Sequence, residues 1–577
     1  MTLLTKFAVP NPIKQYFPAL DWLRRYQPAW LRQDLIAGLT VWAVMVPEAM
    51  AYAGIAGVPP LMGLYTVPFP LFAYGLMGTS RTMIVGPDSA TALVSGVTVA
   101  AIASQGSTEY LALTSAIALL VGIFFLLFGL FKMGWVANFI PVPVMKGFVQ
   151  GLVWITIMGQ IPKLFGLEGG MGNFWQKLAA MLKALPNADL TTMAMGLGSL
   201  TVLFLLKRYF SRLPSAFTVA ILSIVIVTVL GLENRGLELI GSIDAGLPPL
   251  GLPQVSFSQL QGITGGALAI VLLGYAESLG AASAAAVKTG EEIDPNQELI
   301  SLGPANLLAG ISSGCLVVGS VSKTSVAIAA GAKTQITAVV MAILVILTLL
   351  FLMPLFQNLP HATLAAIVIE AMVGLANFDY FRQLKRTSPT EFYIAGLAFL
   401  CVLFISVLHG IAIGVITSIV LLIHRASHPG VAVLGKLPNT EMYRNIALHP
   451  ESETLPGLLI FRFNSSLIFP NANYFRTTLT AAINSAKISV KMVLIDAESI
   501  TLIDVTSLEM LSRLQQELAC KQITFAWSRL QDPLRHKMAI AKLDQAIGEE
   551  NFHDRITDGV IAFQNKYDSD WHEHQGC

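Results

Sequence analysis

The sequence predicts an α-helical membrane protein followed by a small α/β domain, and three observations carry that prediction. Of 577 residues, 54% are hydrophobic and 12% are Asp, Glu, Lys or Arg, where a soluble chain carries about 25% charged residues. Charge-free runs cover Ala49 to Ser80, Tyr110 to Phe131, Ser215 to Leu232, Thr334 to Ile369 and Phe392 to His424. Each is long enough for a helix of about 20 residues to cross a hydrocarbon layer of roughly 30 Å, and the longest hold two. After Arg425 the composition turns polar. Backbone polar groups must all be paired inside a bilayer, which leaves a helix bundle or a closed barrel. Continuous apolar runs without alternation exclude the barrel.

Hydropathy and helix breakers give fourteen transmembrane segments, near residues 34–48, 60–77, 89–104, 111–131, 141–160, 188–207, 215–232, 262–281, 298–311, 322–333, 335–353, 360–374, 391–408 and 410–427. Gly and Pro set many of these limits, and Gly410 divides the last long run. Loop charges test the count separately, because cytoplasmic loops collect Lys and Arg. With the N-terminus inside, the loops after segments two, four and six carry Arg81, Lys132, and Lys207 with Arg208 and Arg212. Those after eight and twelve carry Lys288, and Arg382 with Lys385 and Arg386, while the last segment ends at Arg425. All these loops fall on the cytoplasmic side; Lys163, Lys177 and Lys183 are exceptions on the other. Twelve spans would also leave both ends inside.

Residues 1–33 mix charges, prolines and aromatics too early for the apolar core of a signal peptide. Lys14, Arg24, Arg25 and Arg32 mark them as a cytoplasmic segment. The expected location is a bacterial inner (cytoplasmic) membrane, crossed many times, with both termini in the cytoplasm. Net charge is +1, from 36 basic and 35 acidic residues, which gives no field to attract nucleic acid. Cys315, Cys401, Cys520 and Cys577 show no metal-ligand spacing and suggest no structural disulfide.

Segments three and ten begin alike. Val85-Gly86-Pro87-Asp88-Ser89-Ala90-Thr91 matches Val318-Gly319-Ser320-Val321-Ser322-Lys323-Thr324 at Val, Gly, Ser and Thr. Chance resemblance among small residues is one explanation; an internal duplication is the other. Each segment is third in its group of seven, and an odd repeat length inverts the second copy across the membrane. The transport domain then spans 34–427, with repeat one at about 34–232 and repeat two at about 262–427. Pro87 fixes its own φ and disfavours helix at Gly86, so an extended strand should lead into the helix. Ser89 and Ser322 are the expected N-caps. A helix start presents unpaired N–H groups and the positive end of the dipole. Two such starts meeting at mid-membrane would form an anion site built largely of backbone donors. Lys323 is costly in lipid and should face a cavity or a partner. It would either neutralise an anion or pair with a carboxylate, Glu277 being the candidate.

Three acids stand near this pathway. Glu277 lies in the otherwise apolar run GGALAIVLLGYAESLGAASAAA, Glu48 follows Pro47, and Asp88 precedes the third helix. Pro47 suggests a bent or broken first helix. Buried carboxylates take up a proton or pair with a cation, so all three are candidates for coupling to Na+ or H+. An interfacial place for Glu48 and a capping role for Asp88 are the alternatives. No other cofactor and no metal is predicted.

Beyond Arg425, residues 428–455 read as a polar connector and 456–577 as a cytoplasmic α/β domain. Its expected strands are Leu458 to Phe463, Val490 to Ile495 and Ile523 to Ala526, and its helices Ser507 to Glu517 and Asp532 to Ala546. No nucleophile triad or phosphate loop appears, so no enzyme is predicted. Asp496 and Asp504 read as turn or cap residues.

Several stretches together resemble the SulP family of anion transporters, whose animal members include prestin and pendrin. Pro47 to Tyr52 looks like the family's PxxxAYA element, and Leu64-Tyr65 with Gly78-Thr79-Ser80-Arg81 like its YGL…GTSR element, although Tyr65 is followed by threonine. Val85-Gly86-Pro87 leads into its third helix. Asn296-Gln297-Glu298-Leu299 and Gly331-Ala332-Lys333-Thr334-Gln335 resemble its NQEL and GARTQ elements. The resemblance implies a seven-plus-seven inverted repeat, a core domain moving against a gate domain, and substrate held between helices three and ten. Ser89, Ala90, Ser320, Ser322 and Lys323 are then the substrate-binding residues, with Glu277 at the acidic position associated with coupling. Glu48 stands where many relatives have glutamine. The tail resembles the family's STAS domain, but Ile503-Asp504-Val505-Thr506-Ser507 matches the usual DSSG region only loosely, so phosphorylation at Thr506 or Ser507 is not expected. A homodimer and a cytoplasmic regulator of the STAS-like domain are the implied partners. The predicted function is symport of a small inorganic oxyanion, sulfate ahead of bicarbonate or a C4-dicarboxylate, with exchange or channel activity as the rival.

Overall fold

Helices occupy every one of the fourteen predicted stretches. The computed structural model describes residues 16–139, 141–167, 169, 174–210, 213–241, 245–405 and 407–567; Lys14, Arg212 and Cys577 lie outside them. The chain divides into two units, Met1–Ser418 and Ile419–Cys577. Among the described residues, eight helices are long and apolar enough to cross a membrane, and four shorter ones are apolar too.

After a short helix at Ala19–Arg24 come α1 (Leu31–Ala56), α2 (Pro60–Tyr65) and α3 (Pro68–Met77), then a short strand β1 (Val85–Gly86), α4 (Ser89–Ala100) and α5 (Thr108–Leu130). Next come α6 (Val142–Leu164), α7 (Phe174–Ala184), α8 (Leu190–Tyr209) and α9 (Ser215–Leu230). The second half holds α10 (Phe257–Thr289), α11 (Pro295–Ile311), strand β2 (Val318–Gly319), α12 (Val321–Ala329) and α13 (Ile336–Leu347), which continues through a π turn to Phe356. It closes with α14 (His361–Leu375), α15 (Phe378–Thr387) and α16 (Pro389–Phe404), and α17 (Val407–Ser427) runs on across the boundary at Ser418.

The expected break in the first helix is absent: α1 runs through Pro47. The broken segment is the second, where α2 ends before Thr66 and Pro68 starts α3. A proline at a first-turn position sacrifices no intrahelical bond, whereas neighbours must support one inside a helix. Three helices escaped the hydropathy reading, Ala19–Arg24, α7 and α15, because all are short and carry polar residues. Helix packing sorts this unit into two bundles. The first comprises α1–α5 with α10–α13, and the second α6, α8, α9, α14 and α16; α1 touches α14 and α9 across the seam.

The family-like motifs form one structural staple. Asp34, fully buried in the first turn of α1, accepts from Lys333 N at 2.7 Å, Thr334 N at 3.1 Å, Thr334 Oγ1 at 2.7 Å and Thr337 Oγ1 at 3.0 Å. It thereby ties the start of α1 to the turn that leads into α13. Glu298 is also fully buried and accepts from Tyr74 Oη at 2.9 Å, Thr79 N at 2.9 Å and Thr79 Oγ1 at 2.5 Å. Gln297 Nε2 donates to Met77 O, and Gln335 Nε2 to Ser80 O and Met83 O. Thus the GTSR, NQEL and GAKTQ stretches tie the loop after α3 to α11 and to the loop after α12.

The second unit contains a six-stranded sheet in the order β4-β3-β5-β6-β7-β8. The strands are β3 (Val431–Lys436), β4 (Tyr443–Asn445), β5 (Leu458–Phe463), β6 (Met492–Asp496), β7 (Thr524–Ser528) and β8 (Phe552–His553). β3 pairs antiparallel with β4 and β5, and β5 to β8 run parallel. Helices α18 (Ala472–Ser485), α19 (Val505–Cys520), α20 (Asp532–Ile540), α21 (Leu543–Ile547) and α22 (Ile556–Tyr567) complete the unit. The stretch 428–455 is therefore not a connector. The alternation in VAVLGK makes β3, which buries Ala432 and Leu434 against Ile460 and Met492. Asp504 caps α19 by accepting from Ser507 N at 2.8 Å. Asp496, fully buried at the end of β6, is clamped by Arg462 and Arg529. Cys315, Cys401 and Cys520 are free thiols.

Candidate anion site at the paired helix starts

The lead-in strand predicted by Pro87 pairs with a second strand before α12. Val85 lies opposite Gly319 and Gly86 opposite Val318 in an antiparallel ladder. Antiparallel pairing sends α4 and α12 away in opposite directions, so their N-termini face each other across the ladder. Ser320 N donates to Ile84 O at 3.0 Å, and Ile84 N donates to Thr324 Oγ1 at 3.1 Å. α10 braces this junction: Ser278 Oγ accepts from Gly319 N at 2.8 Å. A Cβ at Gly319 would stand 2.5 Å from Met83 Sδ and 3.0 Å from Ser278 Cα, so the strand approaches α10 this closely only as glycine.

The caps differ from expectation. Asp88, not Ser89, caps α4 by accepting from Ala90 N at 2.9 Å. Ser320, not Ser322, caps α12 by accepting from Lys323 N at 3.4 Å. Each true cap is the last extended residue before the helix, and the predicted serines sit inside the first turn. Ser89, Ala90 and Ser320 are buried, whereas Ser322 is exposed. With the Ala90 and Lys323 amides engaged, helix geometry leaves those of Ser89, Thr91, Val321 and Ser322 without intrahelical acceptors.

Lys323 is 1% exposed and its partner is Glu48, not Glu277. Its Nζ lies 3.0 Å from Glu48 Oε2, whose side chain is 12% exposed. That oxygen makes no aligned hydrogen bond among the described residues. The ammonium donates instead to Pro87 O at 3.2 Å and stands 5.0 Å above the Tyr52 ring. On the other side Glu277 Oε2 is buried without a hydrogen-bond partner among the described residues. Asp88 caps α4, and Glu277 directly precedes the Ser278 that holds Gly319. One buried cation, Lys323, and three carboxylates, Glu48, Asp88 and Glu277, thus gather about one pair of helix starts. Sequence reasoning missed Tyr52 and Ser278. Tyr52 was visible one turn from Glu48, while Ser278 carried no signal among the small residues of its run.

Depth follows from α1. At about 1.5 Å per residue, Glu48 lies roughly 21 Å from Asp34 and roughly 14 Å from Gly57, well inside the helix.

The model of the sulfate permease family matches residues 31–398, and that of the STAS domain residues 449–558. The chain belongs to the sulfate permease family. A probable sulfate transporter of Mycobacterium tuberculosis is 32% identical over 549 residues, covering 95% of this chain and 98% of the relative. Sulfate transporter 1.1 of Arabidopsis thaliana is 30% identical over 578 residues, covering 95% and 88%. Among solved structures, that of SLC26A9 superposes with a TM-score of 0.89 at 21% identity, covering 97% of this chain and 94% of the other. The transmembrane domain of the cyanobacterial bicarbonate transporter BicA does so at 0.59 and 24% identity, covering 68% and 98%. These likenesses establish the fold of this sulfate permease family member as the one seen in SLC26A9, with a STAS domain after the helices.

Proposed function

We propose that this chain takes up a small inorganic oxyanion, sulfate first, coupled to protons or sodium. The first bundle would carry the site past the second in an elevator-like movement. Family membership and the names of the relatives support the substrate class. The observation that carries the reading is Lys323, a buried lysine at two facing helix starts, held by one ill-aligned carboxylate.

The geometry suggests the coupling step. With the site empty, Glu48 occupies the ammonium. A proton or Na+ on Glu48 releases Lys323 to the anion, which the free first-turn amides then complete. One lysine against three carboxylates repels a dianion until cations neutralise part of the acid charge, so Asp88 and Glu277 would carry further coupling charge. A point charge on a flexible stem can follow an oxyanion without bidentate geometry and still release it. We read residues 34–427 as the transport domain, with inverted repeats at about 34–232 and 262–427. The termini belong in the cytoplasm of a bacterial inner membrane, and the transporter works as a homodimer whose STAS-like domain receives a regulator.

The test is labelled-sulfate uptake by purified protein in liposomes. Saturable uptake that rises with an inward proton or sodium gradient is expected. No labelled-sulfate uptake together with saturable uptake of labelled bicarbonate or fumarate would transfer the reading to those anions. Non-saturating current would replace symport by a channel.

A further inference from the structure

The seam between the two bundles holds a cavity of about 250 Å3 at the end of α1 opposite the staple. We propose that this cavity is a second anion-binding site, an antechamber that captures the oxyanion before it reaches Lys323; this rests on the transport reading above. Its α1 wall begins at Met50, two residues past Glu48, and ends at Gly57, so it leads away from the paired helix starts over roughly 11 Å. Its polar lining consists of Lys163 and Gln160 from α6, His361 from the start of α14, and Gln105 from the loop before α5. No carboxylate lines it among the described residues.

The charges favour an anion. Lys163 makes no ion pair among the described residues, and its charged surroundings are Lys177, a like charge, and Glu238 of the loop before α10. His361 is acted on by the same Lys163 and Glu238, and the first turn of α14 adds the positive end of its dipole. Gly57 closes α1 at φ +79°, where a Cβ would meet the Gln105 amide at 2.7 Å, so glycine admits this amide to the wall. A volume of about 250 Å3 is roughly eight times a water molecule's share of about 30 Å3, room for a small oxyanion with part of its hydration shell. Lys163 and Lys177 are also exceptions to the cytoplasmic bias of basic residues, and a capture site on the opposite face accounts for them. Apolar walls and one sign of charge focus the field and raise local anion concentration.

Two measurements on the full chain test this. In cells expressing the protein, Lys163→Gln should raise the KM for sulfate by about five- to tenfold with Vmax retained, His361→Gln should raise it less, and Lys183→Gln should leave it alone. Added inert salt should shrink the Lys163 effect. Independently, an amine-reactive reagent is applied to purified protein at constant ionic strength and modified peptides are quantified by mass spectrometry. Sulfate should slow modification of Lys163 several-fold more than gluconate does, without protecting Lys183. Equal modification in both anions, or an unchanged KM in Lys163→Gln, overturns the antechamber. Absence of sulfate flux in the wild type overturns the transport reading instead, while the protection measurement still decides whether an anion sits beside Lys163.

Discussion

Asp34 and Glu298 at one end of the first unit, and Glu48 and Glu277 near its middle, are acids withdrawn from water in two different ways. The first pair is saturated by neutral donors: four reach Asp34 and three reach Glu298. Those donors are backbone amides and hydroxyls fixed by helix starts and loops, so the carboxylates cannot move without unravelling the staple. The second pair is short of donors. Glu48 meets Lys323 at ion-pair distance without alignment, and a buried oxygen of Glu277 stands unpartnered among the described residues. A buried polar group left short is expensive, and such groups mark function more often than packing. The contrast separates acids fixed by the fold from acids short of partners, the groups on which the proposed coupling rests.

The largest expected effect comes from removing Lys323, the ion-pair partner of Glu48. Lys323→Met should abolish sulfate uptake and, by stranding a buried charge, lower stability by about 3–5 kcal/mol in thermal unfolding of the purified protein. The double variant Lys323→Met/Glu48→Gln should recover most of that stability and none of the uptake; recovered uptake would erase the distinction between the two groups. Glu298→Gln is the counterpart in the staple. An amide cannot accept from every donor that Glu298 satisfies, so a loss of about 1–3 kcal/mol is expected, with the KM of the folded fraction unchanged. A shifted KM there would mean that the staple communicates with the site.

Smaller effects sharpen the comparison. Ser320→Ala removes the true cap of α12 and should cost about 1 kcal/mol, whereas Ser322→Ala should cost under about 0.5 kcal/mol; equal losses would contradict the assigned cap. Glu277→Gln should change stability by less than about 1 kcal/mol while lowering gradient-driven accumulation more than sulfate–sulfate exchange. Intact accumulation would remove Glu277 from coupling.

Much of this architecture could be read from residue order, because lipid imposes a strong rule. Charge-free runs locate the helices, and Pro87 dictates the strand before α4. The echo at Val318-Gly319 was legible, and the ladder shows it brings both starts together. What could not be read was partnership. Lys323 and Glu48 lie far apart in the chain, and nothing local says that α12 docks against α1 and not against the acid of α10. The caps went to Asp88 and Ser320 because strand geometry ends at those residues, a boundary that propensity sets only to within a residue or two. β3 was hidden between Pro429-Gly430 and a polar stretch, and α7 and α15 by their charges. The GTSR, NQEL and GAKTQ motifs turned out to staple helices together, while Pro47 to Tyr52 and Val85 to Pro87 border the paired helix starts.

The most direct test is the pH dependence of sulfate binding to the purified protein, compared between the wild type and Glu48→Gln. If a cation on Glu48 frees Lys323, wild-type affinity falls as pH rises, and Glu48→Gln lowers that dependence by about one proton per site while keeping high affinity. Identical pH dependence in the two proteins would show that Glu48 never competes with the anion for the lysine.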